Sequence, residues 1–247
     1  MLQDRKRLIR KLFKRIENRR AHAYLARQGV TAVLKRGFEG EIPPVVYDLS
    51  NMHRIVRRRR PKTILEFGVG FSTIAMAMAL HQNYEQDRST HGSETTPKPG
   101  RLWSVDAGRD WIENVKNKIP DHLRPYVEFR HSEVEARLHE GELCHMYKDL
   151  PNVVPDFVYL DAPDPRDVKG AVNGLSYTLE TGGVRQVAAA DLLLYESSLK
   201  RGFFMLIDAR YNNMHFLHRH LKRNYRVTVN RVHNVSTFEL LEHTGRH

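Results

Sequence analysis

The sequence predicts an α/β domain: a mainly parallel sheet covered by helices on both faces and closed by an antiparallel hairpin. Three observations lead there. From residue 63 onward, short apolar segments alternate with helical patterns, as crossover-linked parallel strands require. The first segment runs into Gly68 and Gly70, where a strand can turn sharply into a helix. The last two segments are separated only by residues 230–235, too few for a helical crossover, so they pair as a hairpin.

Length and composition agree with this class. The 247 residues suit one large α/β domain, or one domain with an appendage, and 40% hydrophobic residues are enough to build a core. No apolar run approaches the roughly 20 residues of a membrane span, and the N-terminus is too charged for a secretory signal. A single cysteine, Cys144, excludes an internal disulfide framework and a cysteine-based zinc site, and suits a cytoplasmic protein. The net charge of +11 is unevenly placed. Residues 1–62 hold 18 Lys and Arg against 5 Asp and Glu, whereas the rest holds 22 against 24. The basic character therefore belongs to the N-terminal segment.

Residues 4–27 read as a helix, with Leu8, Ile9, Leu12, Phe13 and Ile16 at helical spacing and Arg5, Arg10, Lys14, Arg19 and Arg20 at other angles. Such a helix can lie on anionic lipid or on phosphates. It can equally pack its apolar stripe on the domain or on a second subunit, making an oligomer. Lys35 to Glu41 form a connection, and residues 1–42 as a whole read as a basic helical extension. Pro43 and Pro44 open a second helix through Tyr47, Leu49, Met52 and Ile55, which Pro61 stops. The run Arg57 to Arg60 complements that helix's dipole, although a phosphate-binding role is open to it too.

The strands follow: Thr63 to Phe67, Leu102 to Val105, Val127 to Arg130, Asp156 to Leu160, Phe203 to Ile207, Arg226 to Val229 and Ser236 to Leu241. Helices are expected at Ser72 to Leu80, Trp111 to Ile119, residues 184–200 and Met214 to Leu221, with Val134 to His139 partly helical. Residues 82–100, polar with Gly and Pro, read as a mobile loop. His215, His218 and His220 fall on a predicted helix beside Arg219 and Lys222 and read as surface charge.

Candidate site residues cluster at strand ends, where open α/β sheets bind ligands. Glu66, Gly68, Val69 and Gly70 end the first strand, and Ser72 and Thr73 can cap the next helix and offer hydroxyls. Asp106, followed by Ala107, ends the second strand, where a carboxylate can accept both hydroxyls of a ribose; a turn or cap role is the plain alternative. His131, Ser132 and Glu133 end the third strand, level with an expected adenine. Asp161 ends the fourth and Asp208 the fifth, close to Arg210, so these two carboxylates can act as bases, bind a divalent ion or orient a substrate. Asp164 and Asp167 read as loop residues.

Taken together, these residues resemble the class I S-adenosylmethionine-dependent methyltransferases over about residues 43–242. EFGVGFS is similar to that superfamily's first motif, Asp106 to its ribose-binding acid and the Asp161 strand to its fourth motif. The resemblance implies a Rossmann-like, seven-stranded, mostly parallel sheet with a C-terminal antiparallel hairpin, in a catalytic domain spanning residues 43–247. It implies S-adenosylmethionine as cofactor and S-adenosylhomocysteine as product. Glu66, Gly68 and Gly70 would surround the methionine part and Asp106 the ribose, with Asp161 beside the sulfonium and the acceptor. Two departures stand out: Ser72 replaces the third glycine of the commoner pattern, and Gly68 lies much farther from Asp106 than the ~20 residues of a nucleotide unit. In metal-dependent catechol-type relatives an Asp-Asn step follows the fifth strand; Asp208-Ala209 stands here, so no metal is expected.

The expectation is O-methylation of a small molecule or a saccharide, because Asp161-Ala162-Pro163-Asp164 stands where base- and amine-methylating enzymes carry Asp/Asn-Pro-Pro-Tyr. Three alternatives keep the fold. One is an RNA-directed enzyme using the basic segment, which the nearly neutral catalytic part disfavours. Another is a non-enzymatic cofactor-binding protein docked on a membrane or partner. Aminopropyl transfer is the third.

Overall fold

A computed structural model describes residues 2–35, 45–92, 95, 97–161, 163–208 and 210–241, the side chains of 2–11 and 13 excepted. Its N-terminal part is helical: α1 (Leu2–Arg27), α2 (Val30–Lys35) and α3 (Val46–Arg59). Next come β1 (Thr63–Phe67), α4 (Phe71–His91), β2 (Arg101–Asp106), α5 (Arg109–Lys118) and β3 (Val127–His131). Then follow β4 (Val134–His139), β5 (Glu142–Tyr147), β6 (Phe157–Leu160), β7 (Val168–Lys169) and α6 (Asp191–Tyr195). The chain continues through β8 (Phe204–Asp208), α7 (Tyr211–His220), β9 (Tyr225–Asn230) and β10 (Val235–Leu240). The connection from Arg36 to Glu41 and the helix opening at Pro43 and Pro44 lie outside the described residues.

All seven anticipated strands form and join one sheet, in the order β3-β2-β1-β6-β8-β10-β9. β1 pairs parallel with β2 and β6, and β6 parallel with β8, while β10 runs antiparallel to both β8 and β9. The hairpin expected from its short connection is therefore present. Chain order reverses at β1, with β2 on one side and β6 on the other. That is the switch point at which open α/β sheets present a ligand crevice.

Each sheet face is buried. Ile64, Leu102, Phe157, Tyr159 and Leu206 face Leu49, Met52 and Val56 of α3, Ile74 to Leu80 of α4, and Ile112 and Val115 of α5. Leu25 of α1 and Val30 of α2 belong to the same core, so the C-terminal part of the basic extension is built into the domain. Leu12 and Ile16, nearer the N-terminus of α1, are exposed. On the other face Leu65, Phe67, Val158, Met205 and Ile207 meet Leu192 of α6, Met214, Phe216 and Leu217 of α7, and a second sheet. That sheet has the order β5-β4-β7.

Four expectations are corrected. Residues 82–91 are the second half of α4, not a loop. Their polarity serves contacts with α3: Asn83 donates to the Val56 carbonyl, and Arg57 donates to Asn83 and Gln86. Arg60, the left-handed C-cap of α3, reaches Asp87. Together with Arg59, which lies over the Phe204 ring and pairs with Glu239, these arginines fasten α3 to its neighbours. Residues 134–139 are a strand, not a helix. Glu140 (φ 48°) and Gly141 (φ 82°) make a two-residue turn with both φ positive, and the β4–β5 pairing overrides the helix propensity of Glu135, Ala136 and Leu138.

Residues 184–200 hold only one short helix. Ala188 and Ala189 run along β5, His145 exchanging backbone hydrogen bonds with Ala188 and Ala190, and Ala189 N–H donates to Asn213 Oδ1. Small apolar side chains here fit a crowded strand edge rather than a helix face. His215 and His218 are exposed, but His220 is buried. One glycine is set by space alone: a Cβ on Gly100 would lie 2.5 Å from the Pro61 carbonyl oxygen, just before β2 begins.

Candidate functional site

Sheet register builds the site. Phe67 stands level with Val105 and Leu160, and Leu160 with Ile207. The residues that follow, Gly68, Asp106, Asp161 and Asp208, therefore share one row at the carboxyl edge. Gly68 takes φ 110°, a conformation that favours glycine, and its N–H donates to the Val105 carbonyl at 2.9 Å. The loop then crosses to the second strand: Val69 N–H donates to Asp106 Oδ2 at 2.9 Å. The other oxygen, Oδ1, accepts from Gly108 N–H at 2.8 Å. Trp111 Nε1 donates to the Val69 carbonyl at 2.5 Å, pinning the same loop from α5.

Beneath the loop, Glu66 is fully buried. Its Oε1 accepts from Ser72 at 2.5 Å, and its Oε2 from Thr73 and Ser104, both at 2.6 Å. Thr73 Oγ1 in turn accepts from Gly70 N–H. Burial pushes the Glu66 carboxyl up to about 7, against the hydroxyl bonds that lower it. Glu66 and Thr73 thus support the glycine loop from below and do not line its surface.

A cleft of about 540 Å³ opens above the row. Gly68, Val69, Gly70, Ser72, Asp106, Asp161 and Asp208 all line it. Ala107, Ser132 and Glu133 are not among the lining residues. The Ala107 carbonyl accepts from His131 Nε2, Ser132 Oγ accepts from Asp149 N–H, and Glu133 pairs with Lys148. Asp164 caps a short turn by accepting from Arg166 N–H, the loop role expected of it, and also lines the cleft with Asp167.

Several lining residues other than Arg210 were not singled out from the sequence. Trp111 and Phe71 give the cleft aromatic wall, and Leu49 and Met52 an apolar one. Tyr159 donates toward Asp161 Oδ2 and Asp208 Oδ2 at 3.4 and 3.3 Å. Arg210 braces Asp161, donating to its carbonyl at 2.7 Å and to Oδ1 at 3.4 Å. Most telling is Asp48 on α3: it is 6% exposed, lines the cleft, and its Oδ1 has no hydrogen-bond partner. Burial, then Asp208 and Asp161, push its carboxyl up to about 7. Burial and Asp161 push Asp208 up to about 6. The sequence signal for Asp48 was a lone acid among the apolar positions of an otherwise basic helix. Six carboxylates face the cleft, with Arg210 as the one Arg or Lys among the described lining residues.

No family model matches the chain, and no curated protein matches it. Among solved structures, one from Staphylococcus aureus, provisionally named a caffeoyl-CoA O-methyltransferase, superposes with a TM-score of 0.50 at 11% identity. The match covers 95% of this chain and 100% of that one. The O-methyltransferase TomG from Streptomyces achromogenes, solved with SAM, gives a TM-score of 0.46 at 14% identity, covering 89% and 90%. Strand order, hairpin and superposition agree: the chain has the Rossmann-like methyltransferase fold.

Proposed function

We propose that this chain is a methyltransferase that uses S-adenosylmethionine, most simply an O-methyltransferase of a small molecule or a saccharide. One observation carries the reading: the Gly68–Gly70 backbone and the Asp106 carboxylate meet at a single cleft, joined by the Val69–Asp106 bond. The lining chemistry fits the cofactor. Its sulfonium and amino group are cationic, and six carboxylates face the cleft.

Backbone from Gly68 to Gly70, with Ser72, would hold the methionine part, supported by Glu66 and Thr73. Asp106 would take the ribose hydroxyls, since each of its oxygens keeps a lone pair beyond its backbone bond. Trp111 would wall the nucleoside, with Ala107, Ser132 and Glu133 farther out along its adenine side. When bound, S-adenosylmethionine supplies a methyl group on sulfur and leaves as S-adenosylhomocysteine. The chain's own work is to align an acceptor and receive its proton.

Arg210 ties up Asp161, which makes Asp161 a positioning group near the reacting atoms. Asp48 and Asp208 are the better bases, because carboxyls raised toward neutrality release and accept protons near working pH. An acidic cleft also repels a phosphate backbone, which weighs against an RNA acceptor. On α1, exposed Leu12 and Ile16 among Lys14, Arg15, Arg19 and Arg20 offer a surface for anionic lipid or a second subunit. No helix among the described residues is long and apolar enough to cross a membrane. A cytoplasmic setting goes with a single cysteine, Cys144, buried and free.

The test is calorimetry with S-adenosylhomocysteine, followed by a structure of the complex. Binding in the cleft with the ribose on Asp106 supports the reading; no binding overturns it.

A further inference from the structure

Far from the cleft, the β4–β5 turn meets the C-terminal end of α7. There, one ligand atom from each of His139, Glu140 and His220 lies within 4.8 Å of the others. The His220 side chain is 5% exposed, and its Nδ1 stands 3.2 Å from Glu140. Its Nε2 is buried without a hydrogen-bond partner, 3.4 Å from Glu142. The His139 and His220 rings meet edge to face at 4.7 Å. A buried imidazole with an unsatisfied nitrogen is costly, and although Lys222 and Arg219 account for Glu140 and Glu142, packing alone does not require a second histidine beside it.

We propose that His139, Glu140 and His220 form a zinc site, independent of the methyl-transfer reading. Two imidazoles and a carboxylate are a common donor set for Zn2+, which prefers tetrahedral N and O ligands at about 2.0–2.2 Å. Small rotations of the half-buried His139 and exposed Glu140 side chains bring the donors to that distance. A water fills the fourth position; Glu142, 3.4 Å from Nε2 on the other side of the ring and held by Arg219 at 2.5 Å, receives the proton that metal binding at Nδ1 fixes on Nε2. Lys222, which pairs with Glu140 at 3.3 Å, swings away at little cost, because exposed ion pairs contribute at most about 1 kcal/mol. The bound ion fastens the β4–β5 turn to α7. That helix starts directly after Arg210, so the site steadies one wall of the cleft from its far end.

The experiment uses the full, untagged chain, stripped with chelator and dialysed against zinc sulfate. One zinc per chain is expected, with a thermal midpoint that rises on loading. His139→Ala and Glu140→Gln each weaken binding at least about tenfold in competition with a chromophoric chelator. Glu140 is exposed and His139 only half-buried, so these variants fold even where His220→Ala does not. A His215→Ala/His218→Ala double variant controls for the exposed histidines of the same helix and leaves affinity unchanged. Binding of less than one equivalent, or zinc affinity insensitive to His139→Ala, overturns the site.

Discussion

Val69 and Asp106, 37 residues apart in sequence, are joined by a 2.9 Å hydrogen bond from the backbone N–H of one to the carboxylate of the other. The bond links the glycine turn after β1 to the tip of β2, so the two halves of the proposed nucleoside site are positioned by each other. The first part of the polar stretch between them, residues 82–91, is taken up by the second half of α4, and the lengthened spacing leaves the strand-end geometry intact.

Asp106→Ala removes both this tether and the proposed acceptor for ribose hydroxyls. Its affinity for S-adenosylhomocysteine should fall by at least about 1 kcal/mol, the scale of a charged hydrogen bond lost. Isothermal calorimetry reads this directly, and unchanged affinity would take Asp106 out of the site.

Asp48 yields a pH prediction. Its carboxyl, pushed up to about 7, must be ionised to accept a proton. With any acceptor found by screening phenolic and sugar hydroxyls, kcat should climb as pH rises through 6 to 7. Asp48→Asn should lower kcat at least about a hundredfold, the scale of general-base catalysis, with S-adenosylhomocysteine affinity within twofold of the parent, roughly 0.4 kcal/mol. A rising limb unaltered in Asp48→Asn would assign the base to Asp208 instead.

The main sheet was legible because its strands are short, apolar and bounded by Gly, Pro and acidic residues, and because local pattern and pairing agree there. Where they disagree, the sequence misleads. Val134 to His139 has helical composition but is captured as a strand by β5, and residues 188–190 give up a helix to bond along the other side of β5. The cleft's floor, Gly68, Asp106, Asp161 and Asp208, was readable from strand ends alone. Its roof was not: Asp48 and Trp111 sit on helices, and nothing local tells which helical face looks over a strand end. The role of Glu66 also escaped, since its three hydroxyl partners come from two different segments.

Glu66→Ala strands the hydroxyls of Thr73 and Ser104 in a dry interior, while that of Ser72 can turn to the cleft. At about 1–3 kcal/mol for each of the two unsatisfied groups, unfolding free energy in urea should drop by at least about 2 kcal/mol. Glu66→Gln keeps an acceptor oxygen and a partner for a rotated hydroxyl, so its loss should be clearly smaller. Equal losses would mean that charge, rather than the bonding pattern, holds the loop.

Asp191 tests the linkage between burial and pH. It is fully buried at the start of α6; Oδ1 accepts from Tyr147 N–H at 2.8 Å, while Oδ2 has no hydrogen-bond partner. Burial pushes its carboxyl up to about 7, against 3.8 unperturbed. Between those values the folded protein keeps a proton that the unfolded chain has released, so stability from this group falls as pH rises through that window. Asp191→Asn retains the Oδ1 acceptor and has no proton to lose. The thermal midpoint of the variant relative to the parent should therefore climb steadily from pH 4 to pH 7.5. The difference matters more than either curve, because His145, held neutral by burial with a pKa near 3, pulls in the opposite direction in both proteins. A difference that stays flat with pH would mean that Asp191 ionises in the folded chain as readily as in water, and that the His145 ring 4.0 Å away carries a compensating proton.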